Sequence, residues 1–204
     1  MQLSGVVLAG GQSKRLGRNK AIEKIGEQPL IERVIQRLSQ VTSETIVIVA
    51  DEGKSAALSL PPWVRTAADL YPGCGSLGGI FTGLSTAQGD YSVVVAVDMP
   101  FLNVDLLRFM VDLISEYDAV VPVISGRPEP THAIYAKNCV GPIERRLQAG
   151  ELKIAGFFED VNVGYVEEDE IEAFDPNHLS FFNINTQKDL DKALALEAEA
   201  GFGG

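Results

Sequence analysis

The chain is poor in the residues that most often announce their own chemistry. It has two cysteines, Cys74 and Cys139, and two histidines in 204 residues. The cysteines are far apart and fit no disulfide framework or metal-ligand spacing. His132 and His178 read as too distant from each other, and too isolated from cysteine or glutamate, to form a zinc site. No Ser–His–Asp or Cys–His constellation is evident. Positive charge is scarce: 17 Lys and Arg stand against 28 Asp and Glu, a net charge of −11. That balance excludes a general binder of nucleic acid or of an anionic membrane. No apolar run approaches the ~20 residues of a membrane span, and Met1-Gln2-Leu3-Ser4 lacks the basic start of a secretory leader. A cytoplasmic location is expected. Repeats and linkers are absent too, so a single domain over 1–204 is expected. With 46% hydrophobic residues it can bury a full core without staples.

Two familiar nucleotide motifs are missing. No G-x-x-x-x-G-K-[ST] loop occurs. A G-x-G-x-x-G match exists at Gly73-Cys74-Gly75-Ser76-Leu77-Gly78, but Tyr71-Pro72 precedes it where a strand is required. The match reads as chance in a glycine-rich loop.

What is present is an apolar run, Val6-Val7-Leu8-Ala9, that stops at Gly10-Gly11. Lys14, Arg15 and Arg18 follow, then Lys20. This reads as a buried strand, then a glycine turn whose N–H groups face an anion, then cations that neutralise it. A polyphosphate is the matching anion.

Elsewhere, short apolar runs alternate with helical patterns, which predicts βαβ units and a mostly parallel sheet. Strands are expected at Gly5–Ala9, Thr45–Ala50, Tyr91–Val97, Ala119–Ile124 and Thr131–Ala136. Helices are expected at Pro29–Val41, from the Asn103 cap to about Ser115, at Val140–Ala149, and from the Thr186 cap to about Glu199. A glycine loop running into a short helix is expected within 72–89. Gly164–Ile171 reads as a strand followed by an acid-rich loop with a solvated face.

Asp98 stands at the end of an apolar strand. A carboxylate there needs a cation, and triphosphate-bound Mg²⁺ is the natural one, against a turn-capping role. Asp69, before the second glycine loop, could contact a nucleoside or metal, or be an ordinary loop residue. In Phe181-Phe182-Asn183-Ile184-Asn185, alternation along an expected short strand puts both asparagines on one face, as binding groups or as caps.

Together these residues resemble a known family. Leu8-Ala9-Gly10-Gly11-x-Ser13-x-Arg15-x-Gly17-x-x-Lys20 is similar to the signature of nucleotidyltransferases with a sugar-nucleotide pyrophosphorylase-type fold. Gly75-Ser76-Leu77-Gly78-Gly79, Asp98-Met99-Pro100-Phe101 and Asn183-Ile184-Asn185-Thr186 narrow the resemblance to the molybdenum cofactor guanylyltransferases, the MobA family. Asn19, Ser76 and Leu16 depart from its usual residues. The resemblance implies a three-layer α/β/α Rossmann-like fold, with a nucleotide half (1–100) and an acceptor half (101–204). It implies Mg²⁺-dependent transfer of GMP from GTP to a molybdopterin-type cofactor, with release of pyrophosphate. Other proteins of molybdenum cofactor synthesis are possible partners on this basis. Leu8, Ala9, Gly10, Gly11, Gly75 and Gly79 would hold the nucleotide, and Lys20 and Arg15 its phosphates. Asp69 would contact the nucleotide, and Asp98 would ligate Mg²⁺. Asn183 and Asn185 would face the metal or the acceptor phosphate. A CTP-using relative, a sugar-phosphate nucleotidyltransferase and a non-catalytic nucleotide-binding regulator are the rival readings.

Overall fold

The structure is a computed structural model that describes residues 2–10, 20–51, 53 and 58–200. Gly11 and Arg15 therefore lie outside the described residues. Its frame is an eight-stranded sheet built around the apolar runs. β1 (Leu3–Leu8) lies at the centre, paired in parallel with β4 (Glu44–Val49) on one side and β6 (Tyr91–Ala96) on the other. β5 (Val64–Ala68) extends the β4 side in parallel. Beyond β6 come the antiparallel β9 (His132–Ala136), then β7 (Ala119–Ile124) and β10 (Val163–Val166). The short β8 (Arg127–Pro128) folds back on β7, and β2 (Lys24–Ile25) and β3 (Gln28–Pro29) form a separate hairpin.

Alternation along the strands sorts the core onto two faces. Val7, Val47, Val93 and Val95 pack with helices α1 (Leu30–Leu38) and α3 (Val104–Leu113). Val6, Ile46, Ile48 and Val94 pack with α2 (Gly75–Thr86) and α4 (Val140–Gln148). The result is the three-layer α/β/α arrangement expected. Each side chain of this size taken fully out of water stabilises by roughly 1.5–3 kcal/mol. A smaller cluster, Ile25, Leu30, Phe101, Ile184, Leu190 and Ala193, docks the last helix, α6 (Gln187–Ala200), against the hairpin. Buried Arg33 of α1 reinforces it with an ion pair to Glu197. No helix of the described residues is long and apolar enough to cross a membrane.

Three segments differ from expectation. β5 has no counterpart among the expected strands. The acid-rich loop is a short helix, α5 (Glu168–Glu172), closed by a capping box in which Glu167 serves as the cap and Glu170 bonds back to it. Phe181–Asn185 is not a strand. The chain arrives through a left-handed residue, His178, and a 3₁₀ turn at Leu179–Phe181. Its ladder is limited to one bond, Ile184 N–H to the Asp98 carbonyl at 2.9 Å. Ile184 and Phe182 turn into the small cluster instead of onto a sheet face.

Candidate active site

In an open parallel sheet, ligands bind beyond the carboxyl ends of the strands, where the strand order reverses. Here that point lies between β1, β4 and β6. The chain stays anchored past each strand end. Ala9 N–H donates to the Ile48 carbonyl at 2.9 Å, Asp69 N–H to Val49 at 2.8 Å, and Val97 N–H to Leu8 at 3.1 Å. Over the β1–β4 ends sits a cavity of about 410 Å³, lined by Leu8, Gly10, Ile48, Ala50, Asp69, Pro72, Gly73, Gly75, Ser76 and Gly79.

The glycines have local reasons. Gly73 and Gly75 adopt φ of +89° and +65°, a backbone that L side chains disfavour. The turn they make aims the first turn of α2 at the cavity. The α2 cap residue, Cys74, makes no side-chain cap bond, and the first turn holds no acidic residue. Those N–H groups and the helix dipole favour an anion. At Gly10 a Cβ would come within 3.2 Å of Ala50 N. Its closeness is thus to the β4 end, as well as to the cavity it lines.

The structure brings Leu8, Gly10, Asp69, Gly75 and Gly79 to this cavity. Ala9 instead turns its side chain toward the core on the α1 face. Asp69 also organises the loop: its Oδ1 accepts from Tyr71 N–H and from the Thr82 hydroxyl, both at 3.0 Å. Ile48, Ala50 and Ser76 are lining residues that sequence reasoning missed, having no chemical signature of their own.

Beside the cavity, at the end of β6, three polar side chains meet. Lys20 opens a single 3₁₀ turn, Lys20–Ile22. Its Nζ donates to Asp98 Oδ2 at 2.9 Å and to Asn185 Oδ1 at 2.6 Å. The Lys20 and Asp98 side chains are only 16% and 19% exposed, so water screens the pair poorly. Asn185 is held from both directions. Its neighbour Ile184 is tied to Asp98, while its own N–H and that of Thr186 both donate to Asp189 Oδ2, at 3.0 and 2.8 Å. The Thr186–Asp189 capping box is as expected. The asparagines part company: Asn183 Nδ2 donates to the nearby Phe181 carbonyl at 3.1 Å.

The histidines lie apart from this cluster. His132 is fully buried, and burial lowers its pKa to about 4. His178 corrects the expectation that it is isolated from glutamate: its ring nitrogens lie 3.8 Å from Glu168 and 3.4 Å from Glu172. The left-handed turn at His178 brings it back to α5. Cys139 is buried beneath the α2–α4 layer, and burial pushes its thiol up to about 12, so it is no nucleophile.

Known proteins share this architecture. The family model of the MobA-like NTP transferase domain matches residues 5–161. A probable molybdenum cofactor guanylyltransferase of Pelotomaculum thermopropionicum is 37% identical over 196 residues, covering 96% of this chain and 94% of its own. The molybdenum cofactor guanylyltransferase of Desulfosudis oleivorans is 33% identical, covering 95% of each. The crystal structure of molybdopterin-guanine dinucleotide biosynthesis protein A from Archaeoglobus fulgidus superposes with a TM-score of 0.84 at 32% identity, covering 96% of this chain and 99% of that one. At 18% identity and a TM-score of 0.70, the 2-C-methyl-D-erythritol 4-phosphate cytidylyltransferase of Thermus thermophilus shares the fold. The chain belongs to the MobA-like NTP transferases and is an enzyme of the nucleotidyltransferase class.

Proposed function

We propose that this enzyme transfers GMP from GTP to the phosphate of a molybdopterin-type molybdenum cofactor, yielding the guanine dinucleotide cofactor and pyrophosphate. The observation that carries the reading is the meeting of Lys20, Asp98 and Asn185 beside a cavity faced by a helix N-terminus. The names of the relatives at 30–37% identity supply the substrates.

The acceptor phosphate is already a nucleophile, so the reaction needs no general base. One of its oxygens bonds to the α-phosphorus of GTP while the bond from that phosphorus to the α–β bridging oxygen breaks. The electron pair leaves with pyrophosphate. Such a displacement needs alignment and neutralisation of charge. The first turn of α2 offers N–H donors to the nucleotide's phosphates, and Lys20 offers an ammonium.

The residues present suit Mg²⁺. The Lys20 ammonium, itself a cation, is shared by two hard oxygen donors, the Asp98 carboxylate and the Asn185 carbonyl. Mg²⁺ prefers such oxygens and few of them, keeping water and phosphate as its other ligands. Asp98 with Asn185 would hold the ion, and Lys20 would then turn to the phosphates. When bound, the ion supplies charge neutralisation at the triphosphate and the leaving pyrophosphate.

The test is turnover with purified molybdenum cofactor and GTP, CTP, ATP or UTP in turn, with and without MgCl₂. Pyrophosphate release with GTP and Mg²⁺, together with a guanine dinucleotide product, is expected. Preferred use of CTP, or absence of any product, overturns the reading.

A further inference from the structure

A second cluster of ligand-type side chains lies away from the nucleotide cavity, where α5 meets the turn that leads to Asn185. Glu168 and Glu172 stand four residues apart, on one face of α5. The chain then doubles back, and His178 sets its ring against both. Nδ1 lies 3.8 Å from Glu168 Oε1, and Nε2 lies 3.4 Å from Glu172 Oε1. One donor atom from each of the three residues lies within 4.8 Å of the other two. The backbone holds them there. Buried Asp175 accepts from Leu179 N–H at 3.0 Å and from Ser180 N–H at 2.7 Å, and its own N–H donates to the Ile171 carbonyl at 2.8 Å. From α3, Asn103 grips both sides of the turn: its Nδ2 donates to the Phe174 carbonyl and its N–H to Ser180 Oγ, each at 2.8 Å. Glu168 Oε2 accepts from Ser125 N–H at 3.1 Å, which leaves Oε1 for the cluster.

Hydrogen bonding leaves the ring unsatisfied. Nε2 is buried and, among the described residues, has no hydrogen-bond partner. Its 3.4 Å approach to Glu172 exceeds the roughly 2.7–2.9 Å of a hydrogen bond between a charged nitrogen and a carboxylate. It matches instead the spacing of two ligands on one ion. With metal–nitrogen and metal–oxygen bonds of about 2.0–2.2 Å, neighbouring donors on a tetrahedron stand about 3.4 Å apart. Charge also favours an ion. Six carboxylates occupy 167–175, and no Lys or Arg lies between Lys153 and Lys188. Such a stretch draws cations. The ring nitrogen decides which: imidazole with carboxylates suits zinc, whereas Mg²⁺ and Ca²⁺ take oxygen ligands.

We propose that His178, Glu168 and Glu172 bind a Zn²⁺ ion, with water completing the tetrahedron. The ion takes Nε2 and one oxygen from each carboxylate; Glu172, the most exposed of the three, has room to adjust. Two carboxylates and a neutral imidazole balance its charge. The ion staples α5 to the 175–185 segment, which carries Asn185 to Lys20. Its role is structural, and it uses no residue of the Lys20–Asp98–Asn185 cluster. The site therefore stands apart from the transfer reaction and from the Mg²⁺ assigned to it. The rival occupant of the space is a proton: a charged His178 held between two glutamates by salt bridges alone.

The test is calorimetric titration of ZnCl₂ into the metal-free full chain at neutral pH, without nucleotide, for wild type, Glu172→Gln, His178→Asn and Asp98→Asn. Asparagine tolerates the left-handed backbone at position 178, φ +52°, so His178→Asn removes the imidazole and spares the turn. Wild type and Asp98→Asn are expected to bind one Zn²⁺ with the same affinity. Glu172→Gln and His178→Asn are expected to weaken binding at least about 100-fold, since loss of even an outer-shell partner costs about 10–100-fold. Zn²⁺ raises the thermal midpoint of wild type and leaves that of His178→Asn unmoved. Excess MgCl₂ does not displace it. Equal binding in wild type and His178→Asn, or loss of binding in Asp98→Asn, puts the ion elsewhere and overturns the site. Displacement by MgCl₂ overturns the imidazole as a ligand. A wild type that takes up no Zn²⁺ overturns the proposal outright and leaves His178 as an ion-pair partner of the two glutamates.

Discussion

Lys20 is the residue on which the site's charge balance turns. Its ammonium neutralises the half-buried Asp98 carboxylate and also binds Asn185, a contact across 165 positions of sequence. Lys24, four residues on, is exposed on the β2 hairpin strand and faces no such pair. Two cations of equal charge therefore have unequal roles. On the proposed reaction, Lys20→Ala removes a phosphate contact, and it leaves Asp98 without the cation it pairs with. Its expected cost is roughly 1.5–3 kcal/mol of transition-state stabilisation, on the order of a 10–150-fold loss in kcat/KM for GTP. Lys24→Ala should change kcat/KM by less than about twofold, as for an isolated surface charge. Turnover at varied GTP with excess acceptor checks both. Equal losses from the two substitutions would remove Lys20 from phosphate handling. Asp98 and Lys20 were both legible in the sequence, one from a carboxylate ending an apolar run, the other from cations following a glycine turn. Their link to Asn185 was not, because alternation placed that amide on a strand face and nothing local reports a partner so distant.

The elements were legible in proportion to how far packing alone decides them. β1, β4, β6 and β7 are buried on both faces and read as continuous apolar runs, so they were expected within a residue or two. β5, Val64-Arg65-Thr66-Ala67-Ala68, is a half-exposed sheet edge with no such run. The α5 helix has five residues, most of them acidic, and owes its form to a cap. Glycine in α2 shows how packing can reverse a propensity. Gly83 lies where α2 crosses β1, and a Cβ there would come within 2.4 Å of Val6 Cγ1. Alanine is favoured over glycine in a helix by up to about 1 kcal/mol. Overpacking against a branched strand residue costs typically about 1–3 kcal/mol, so Gly83→Ala is expected to destabilise. Gly141, in α4, is the control: its Cβ would meet only the tip of Arg145, at 3.9 Å. Gly141→Ala is expected to stabilise by about 0.5–1 kcal/mol. Urea unfolding of the two variants should shift in opposite directions, and a shared sign would show that α2 yields to admit a methyl group.

Across the whole molecule, the second half closes over the sheet through one buried histidine, and this has consequences for acid stability. His132 sits on β9 between β6 and β7 with its ring 4.7 Å from Phe181, at the head of the segment that carries Asn185. It is fully buried, and among the described residues neither ring nitrogen has a hydrogen-bond partner. Burial lowers its pKa to about 4, with the Asp175 carboxylate and the nearby Ser180 backbone opposing the shift. In the unfolded chain the value is about 6.5. Between those two values the unfolded state binds a proton that the folded state does not. Stability is therefore lost as pH falls from about 6.5 to about 4, by about 3 kcal/mol in all. The carboxylates whose values are shifted act at lower pH or in the opposite sense. Glu44, Asp118 and Asp189 have lowered values, so their contribution is lost only as pH falls through those lower values. Glu129, raised by burial, contributes at low pH and loses that contribution as pH rises. His132→Leu, an apolar side chain in an apolar site, removes the histidine's share alone. Urea midpoints measured from pH 7 to pH 4 should fall steeply in the wild type and much less in the variant, with both declining together at lower pH. An unchanged slope in the variant between pH 6.5 and 4 would assign the acid sensitivity to the carboxylates, and the packing of the 175–185 segment on β9 would then be independent of the protonation of His132.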